Sequence, residues 1–440
     1  MRGMTSPAVP TPDGLELAPF RALRYAESVA GPLGPLTSPP YDVIDEDGVR
    51  RYEATSPYNV VRLILPREPD DGSGTRYDAA AALLASWRSS GVLVPDAEPA
   101  LYAYEMRSGE SVTRGLIGAL ALVDPDAGIV LPHENTMAGP VSDRLALTAA
   151  TESNTEPIYL VYDGGGVASA VVSDVGGHPP IATATTEDGI EHRLWAITDP
   201  SILAAVAADL HTRRAVIADG HHRYANFRQH QADRHAAGLG AGPWDHGLAF
   251  LVDATAFGPQ VHAIHRVVPG LPAAEAARLA AAGFTVRRLD DDGTDRGGNE
   301  EGDGGLDALA NAGKSGAAFV VAGPEGRWLL TDPDPAALAA HLPGSASAAW
   351  RGLDVTVAHH LLIRGLWGLT DDEEHVWYRH DVPAALAAAA ENAGTALLLN
   401  PTPVEAVIAV AAAGERMPRK STYFTPKPRT GLLLRAYADA

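Results

Sequence analysis

The sequence predicts a mixed α/β or α+β fold in which mixed sheets carry flanking helices. Hairpin-like alternations occur beside strand–helix–strand units, so neither a purely antiparallel nor a purely parallel sheet accounts for the order. The 440 residues are 46% hydrophobic, enough to bury a large core, and the length suits one large domain or two to three ordinary ones.

The elements follow in order. Residues 1–16 are Pro-rich and are expected to form a flexible tail. Pro39-Pro40 imposes an extended entry into Tyr41, because a residue before proline avoids the helical region. "SPYNVVRLILP" reads as a buried strand, and "GSGTRYDAAAALLASWRSSGVL" as a helix ended by Gly91. "PALYAYEMRSGESVTRGLIGALALVD" reads as a hairpin turning at Ser108-Gly109. "HENTMAGPVSDRLALTAATESNTEPIYLVYD" reads as a polar loop, a helix beginning near Asp143, and a strand. "SILAAVAADLHTRR" is a helix feeding the strand "AVIA", and another helix runs through "YANFRQHQADRHAA". "GLAFLVDA" and "VHAIHRVV" are further strands. Beyond Pro269, "AAEAARLAAAG" is a helix, "FTVRRLD" a strand and "AAFVVAGPEGRWLLTD" a hairpin. The acidic, Gly-rich stretch 290–305 is expected to be a mobile loop. "DVTVAHHLLIRGLWGL" is a buried helix, with Trp367 and Trp377 expected in the core, and the C-terminal stretch gives strand, helix, loop and strand. The expected division is an N-terminal α/β part, 17–268, and a C-terminal α/β part, 269–440, that closes the site.

Composition excludes some functions. Asp plus Glu number 55 against 34 Lys plus Arg, a net charge of -21. So acidic a body repels a phosphate backbone, and nucleic acid is not an expected partner, although one basic pocket can still hold a small phosphate. The absence of cysteine removes disulfides, thiolate metal sites and thiol nucleophiles. No apolar h-region opens the chain and no apolar run spans a bilayer, so a cytoplasmic protein with a small-molecule substrate and no membrane partner is expected.

The densest chemistry lies in "RRAVIADGHHRYANFRQHQ". A strand ending in Asp219-Gly220 and passing directly into a helix presents backbone N–H groups and the positive end of the helix dipole. Arg223 in the first turn can fork onto phosphate oxygens, and Gly220 permits close backbone approach. His221 and His222 add donors or a proton shuttle, while Asp219 can orient a histidine, hold Mg²⁺ or accept a hydroxyl proton. A plain capped helix start also accounts for Asp219, and a metal site is a third reading, although no HExxH spacing occurs.

"IADGHHRYANF" resembles the signature of the prokaryotic domain-of-unknown-function (DUF) family numbered ten-fifteen. "SPPYDVID", "HENTMAGPVSDRLAL", "EPIYLVYD", "HAIHRVV", "LLLNPTPVEAVIAVAAAGERMPRKSTYF" and "PKPRTGLLLR" resemble its other motifs in the same order. Val141 departs from the pattern, standing where the family usually carries lysine. The DGHHR run is also similar to the phosphate-binding box of the ParB/sulfiredoxin superfamily, and to the Asp-Gly-His-His-Arg of its free L-serine kinases. That resemblance implies a ParB/sulfiredoxin-like phosphate-binding core and phosphoryl transfer to serine or a similar small alcohol.

The expected catalytic residues are Asp219, His221, His222 and Glu134. The expected phosphate or nucleotide contacts are Gly220, Arg223, His133, His265, Arg266, Lys420, Ser421 and Thr422. Arg419 and Lys427 lie in the same basic stretch as the last three, and Asp143-Arg144 reads as a helix-start ion pair. Mg²⁺ held in part by Asp219 is the expected cofactor, with ATP, ADP or pyrophosphate as donor. No Walker A motif and no kinase-type Gly-rich loop occurs. A phosphatase, or a nucleotide-binding regulatory protein without turnover, are the alternatives.

Overall fold

The computed structural model describes residues 11–69, 72, 74–289 and 305–440. The expected tail 1–16 lies outside the described residues up to residue 10, and the expected acidic loop does so over 290–304. Two compact units emerge. One comprises the chain up to Pro259 together with Pro426–Ala440, and the other is Gln260–Thr425. The division expected at 268/269 is displaced because strands His265–Val268 and Gln260–His262 find their partners downstream, on Thr395–Leu399 and Tyr423–Thr425. The C-terminal residues return to the first unit because Leu434 bridges to Leu23 and Arg435 pairs with Asn154.

The first unit is a mixed α/β structure around one large mixed sheet. Its strands run in the spatial order Val130–Leu131, Ala215–Asp219, Ile158–Tyr162, His246–Asp253, Ser111–Ala121, Leu101–Ser108, Glu191–Ile197 and Ala182–Thr185, with Leu17–Ala18 also on Ser111–Ala121. Ala215–Asp219 is parallel to Val130–Leu131 and antiparallel to Ile158–Tyr162, itself parallel to His246–Asp253. Leu160, Ile217, Ala249 and Leu251 are buried in the core with Val206 and Leu210 of the helix Pro200–His211. The second unit carries an antiparallel sheet in the order Thr285–Leu289, Gly326–Thr331, Phe319–Gly323, Thr395–Leu399, His265–Val268 and Trp377–Arg379. Helix Val382–Glu391 supplies Ala385, Ala388 and Ala389 to its core. Among the described residues, no helix is long and apolar enough to cross a membrane.

Several local readings hold: the hairpin Leu101–Ser108/Ser111–Ala121, the helix Arg76–Ser89 behind a Thr75 capping box, and Trp367 in the core. Trp377 is only half-buried, and the helix expected near Asp143 begins at Ala138. "SPYNVVRLILP" is corrected, since it forms a short helix, Val61–Ile64, rather than a strand. A short apolar run does not by itself separate a buried strand from a buried helical turn. Asn59 decides the case here. Its side chain accepts from Val61 N at 2.9 Å and donates to Pro35 O at 2.8 Å and Thr37 O at 3.0 Å, turning the chain before any strand can start. The carbonyl of Ile64, at the end of that turn, accepts from Arg144 at 2.6 Å.

Asn59 is fully buried, so truncating it leaves the Val61 N–H without its acceptor and takes one donor each from Pro35 O and Thr37 O, which keep Thr55 and Arg429. Asn59→Ala is expected to destabilise the first unit by about 2–4 kcal/mol, read as a lower urea midpoint. A midpoint unchanged within error contradicts the capping role.

Candidate functional site

The strand Ala215–Asp219 does not end in regular register. Pairing with Ile158–Tyr162 shifts between Ile217 and Asp219, and this irregularity brings Asp219 opposite Tyr159. Gly220 follows at φ 92° as the N-cap of the helix His221–Ala236. Only glycine takes that conformation without strain, and it is needed for a second reason. A Cβ here would meet Arg223 Nε at 3.0 Å and Cζ at 3.1 Å, so the guanidinium lies directly against the turn.

Arg223 is buried, and its guanidinium donates to Asp219 Oδ2 and to Pro157 O. Its Nε has no hydrogen-bond partner among the described residues, nor has the hydroxyl of Tyr159. On its other oxygen, Asp219 accepts from Lys427 Nζ at 2.6 Å, and Lys427 also reaches Asp42 at 3.3 Å. Burial pushes the Asp219 pKa up, but Lys427 and Arg223 overcome it and hold the carboxyl below its usual range. Burial likewise works against the Lys427 cation, yet Asp219 and Asp42 raise its pKa.

A second layer of ion pairs surrounds this centre. Glu156 accepts from Tyr41 N at 3.0 Å and from Thr430 Oγ1 at 3.3 Å, and lies 3.8 Å from Arg144. Burial raises its pKa against the opposing pull of Arg223 and Arg144. Arg144 stands 4.2 Å from the Tyr41 ring centroid and pairs with Asp143 at 2.6 Å, which in turn holds Arg76 at 2.7 Å. Burial, opposed by Arg223, pushes the Tyr41 hydroxyl up to about 12.

The two histidines hold the preceding polar loop. His221 Nε2 accepts from the backbone N–H groups of His133 at 3.2 Å and Glu134 at 3.3 Å. The His133 ring stands edge-on to it at 4.6 Å. His222 Nε2 accepts from Met137 N at 3.1 Å. Asp219, Gly220, His221, His222, Arg223, His133 and Glu134 are thus brought together, while Val141 lies half-buried in the first turn of the helix Ala138–Thr151. The residues that sequence reasoning did not place in the site are Tyr41, Asp42, Arg144, Glu156 and Tyr159. Tyr41 and Asp42 lie in "SPPYDVID", Glu156 and Tyr159 in "EPIYLVYD", and Arg144 in the helix-start pair Asp143-Arg144.

The remaining expected contacts gather in the second unit. Arg266 is fully buried and donates to Ile264 O, to Lys420 O at 2.9 Å and to His359 Nε2 at 3.0 Å. His359 sits in a π-helical stretch, Ala358–Leu366, and its Nδ1 is 2.7 Å from Asp371. Burial, aided by Arg266, drives His359 down to about 4 although Asp371 opposes it, so the ring is neutral and relays between cation and carboxylate. His265 accepts from Leu399 N at 3.3 Å, and burial brings it to about 4 as well. Lys420 holds a left-handed φ of 56°, and Ser421 donates to Pro418 O. Thr422 is half-buried beside them. The basic stretch that reads as one patch is therefore split: Lys427 serves Asp219, while Arg419 stands 3.5 Å from Asp371.

The family model described as a protein of unknown function (DUF1015) matches residues 17–356. No curated protein matches the chain. Among solved structures it is similar to a free serine kinase in complex with AMP, at 15% identity and a TM-score of 0.34, covering 69% of this chain and 86% of that one. A free serine kinase variant in complex with ADP gives 14% identity, 71% and 87% coverage and a TM-score of 0.34. A conserved hypothetical protein from Pyrococcus furiosus gives 15%, 72% and 92%, with a TM-score of 0.33.

Two outcomes follow from the site geometry. Asp219→Asn removes the shared anion of two buried cations and is expected to cost about 3–5 kcal/mol at neutral pH. A depressed carboxylate contributes stability above the unfolded pKa of about 3.9 and loses it as pH falls through the folded value. Acid titration of the variant should therefore lack part of the wild-type loss below about pH 4; parallel curves contradict the assignment. Gly220→Ala should cost about 1–3 kcal/mol and displace the guanidinium, read as a shift of the Arg223 Nε resonance in a nitrogen NMR spectrum.

Proposed function

This chain belongs to the DUF1015 family, and from its own site we propose a cytosolic phosphotransferase that acts on a small hydroxylated metabolite. Free L-serine is the preferred acceptor, with ATP, ADP or pyrophosphate as donor, on a ParB/sulfiredoxin-like phosphate-binding core. One observation carries the reading: the buried Arg223 guanidinium lies against a glycine turn at a helix N-terminus with an N–H unused, and Tyr159, the strand partner of Asp219, has a buried hydroxyl also without a hydrogen-bond partner among the described residues. Buried polar atoms are rarely left so, and an oxyanion satisfies donors of this kind.

Arg223, the Gly220–His222 backbone and Lys427 would hold donor phosphate oxygens. Glu134 is the better proton acceptor for the substrate hydroxyl, because both oxygens of Asp219 are engaged by cations. In the transfer, the acceptor oxygen bonds to the terminal phosphorus as the bridging P–O bond breaks. The hydroxyl proton passes to Glu134, and the electron pair leaves on the departing phosphate. Among the described residues no group of three His, Asp or Glu is placed to hold a metal. Asp219 beside Asp42 instead fits the mode in which Mg²⁺ takes one or two carboxylates and the substrate's own phosphates. Mg²⁺ would there neutralise phosphate charge. His265, Arg266, Lys420, Ser421 and Thr422 lie in the second unit, and a phosphate contact there is proposed for them separately from the Arg223 centre.

A thermal-shift series with ATP, ADP and pyrophosphate, with and without Mg²⁺, is expected to stabilise the wild type. Arg223→Lys, which keeps charge but loses the fork, should weaken the effect about tenfold or more in ligand concentration. No response to any of the three contradicts the phosphate site. Where one binds, phosphorus NMR with L-serine separates transfer from hydrolysis and from inert binding.

A further inference from the structure

A second arginine in the first unit is buried under different terms. Arg435 is 3% exposed. It donates to Asn154 Oδ1 at 3.2 Å, His246 O at 3.0 Å and Pro243 O at 2.9 Å, all neutral acceptors. Among the described residues no carboxylate pairs with it, and its Nε has no hydrogen-bond partner. Burying a guanidinium without an anion is costly, so a fold that keeps one there implies a counter-charge from elsewhere. Burial lowers its pKa to about 10, which fits that lack.

Arg435 lines a cavity of about 480 Å³. Pro19, Phe20, Pro99 and Ala119 give it an apolar wall. Of the other charged groups on the wall, Asp439 pairs with Arg88 at 2.7 Å, and the less buried Arg21 donates to the carbonyl Asp96 O at 2.8 Å. His246 completes the polar side, its pKa lowered by burial and by Arg435. We propose that this cavity binds a small monocarboxylate with an apolar body. The buried Arg435 guanidinium, with neutral acceptors alone, calls for a negative charge, and Asp439 on the same wall disfavours a dianion. The apolar wall accepts a hydrocarbon part, and the volume lies within the usual range for small ligands. The Arg435 guanidinium on the cavity wall supplies the donors for the carboxylate.

Isothermal titration and saturation-transfer NMR with butyrate, phenylacetate, the neutral phenylacetamide and inorganic phosphate test this. Saturable binding of a carboxylate is expected, weakened about tenfold or more for the amide and in Arg435→Gln. Ala18→Leu narrows the cavity from a half-exposed position while keeping Arg435, and should abolish binding if Arg435→Gln does not fold. Failure of both carboxylates to bind overturns the proposal. So does equal affinity for the amide, preference for phosphate, or binding that survives Ala18→Leu.

Discussion

The first unit is organised around one carboxylate. Asp219 receives Arg223 from the helix that follows it and Lys427 from a segment 208 residues downstream. Neither cation is tolerable in that interior alone, and neither is the anion, so the three fix one another. The strand irregularity before Asp219, the glycine after it and the return of the C-terminal segment serve that meeting. Asp42 and Tyr41 join from the N-terminal side through Lys427 and Glu156. Long-range order in the unit is thus carried by charges that would each be destabilising if unpaired.

The same geometry narrows what the paired histidines do. His221 Nε2 takes two backbone N–H groups, so it must present its lone pair there. A proton on that nitrogen would face two donors head-on. The ring is therefore held neutral at that face, with its proton on Nδ1. His222 does the same for Met137. Both imidazoles act as acceptors that hold the loop bearing Glu134 against the helix start. Proton transfer at these Nε2 atoms would first require that loop to move.

Much of the fold and the centre of the site were legible in the sequence because their signals are local. Asp219-Gly220 before a polar helix announces a turn with a left-handed residue, and Arg223 lies one turn on by helical spacing. What was not legible depends on contacts far apart in sequence. Lys427 and Arg419 stand in one basic stretch, yet they meet carboxylates in different units, Asp219 and Asp371. Glu156 read as the edge of a strand, since nothing nearby announces that Tyr41 and Thr430 donate to it. Val61–Ile64 has the composition of a strand, and its helical form rests on Asn59 holding carbonyls more than twenty residues earlier. Patterning sees side-chain polarity, whereas each of these outcomes was decided by where a backbone group needed a partner.

The proposed phosphate site has an energetic consequence that follows from Asp219. A phosphate arriving at Lys427 and Arg223 does not meet free cations, since both already neutralise a carboxylate. Binding is then an exchange, in which the gain on phosphate is offset by loosening Asp219. An Asp219 left without its cations in that interior would be costly, so the exchange is favourable only if the carboxylate acquires another positive charge. Asp219 and Asp42 would hold a divalent cation entering with the phosphates, and that cation would supply the positive charge Asp219 loses when Lys427 and Arg223 serve the ligand. The carboxylate that organises the resting unit would thereby couple phosphate entry to the metal, and the ligand would be held best as its Mg²⁺ complex.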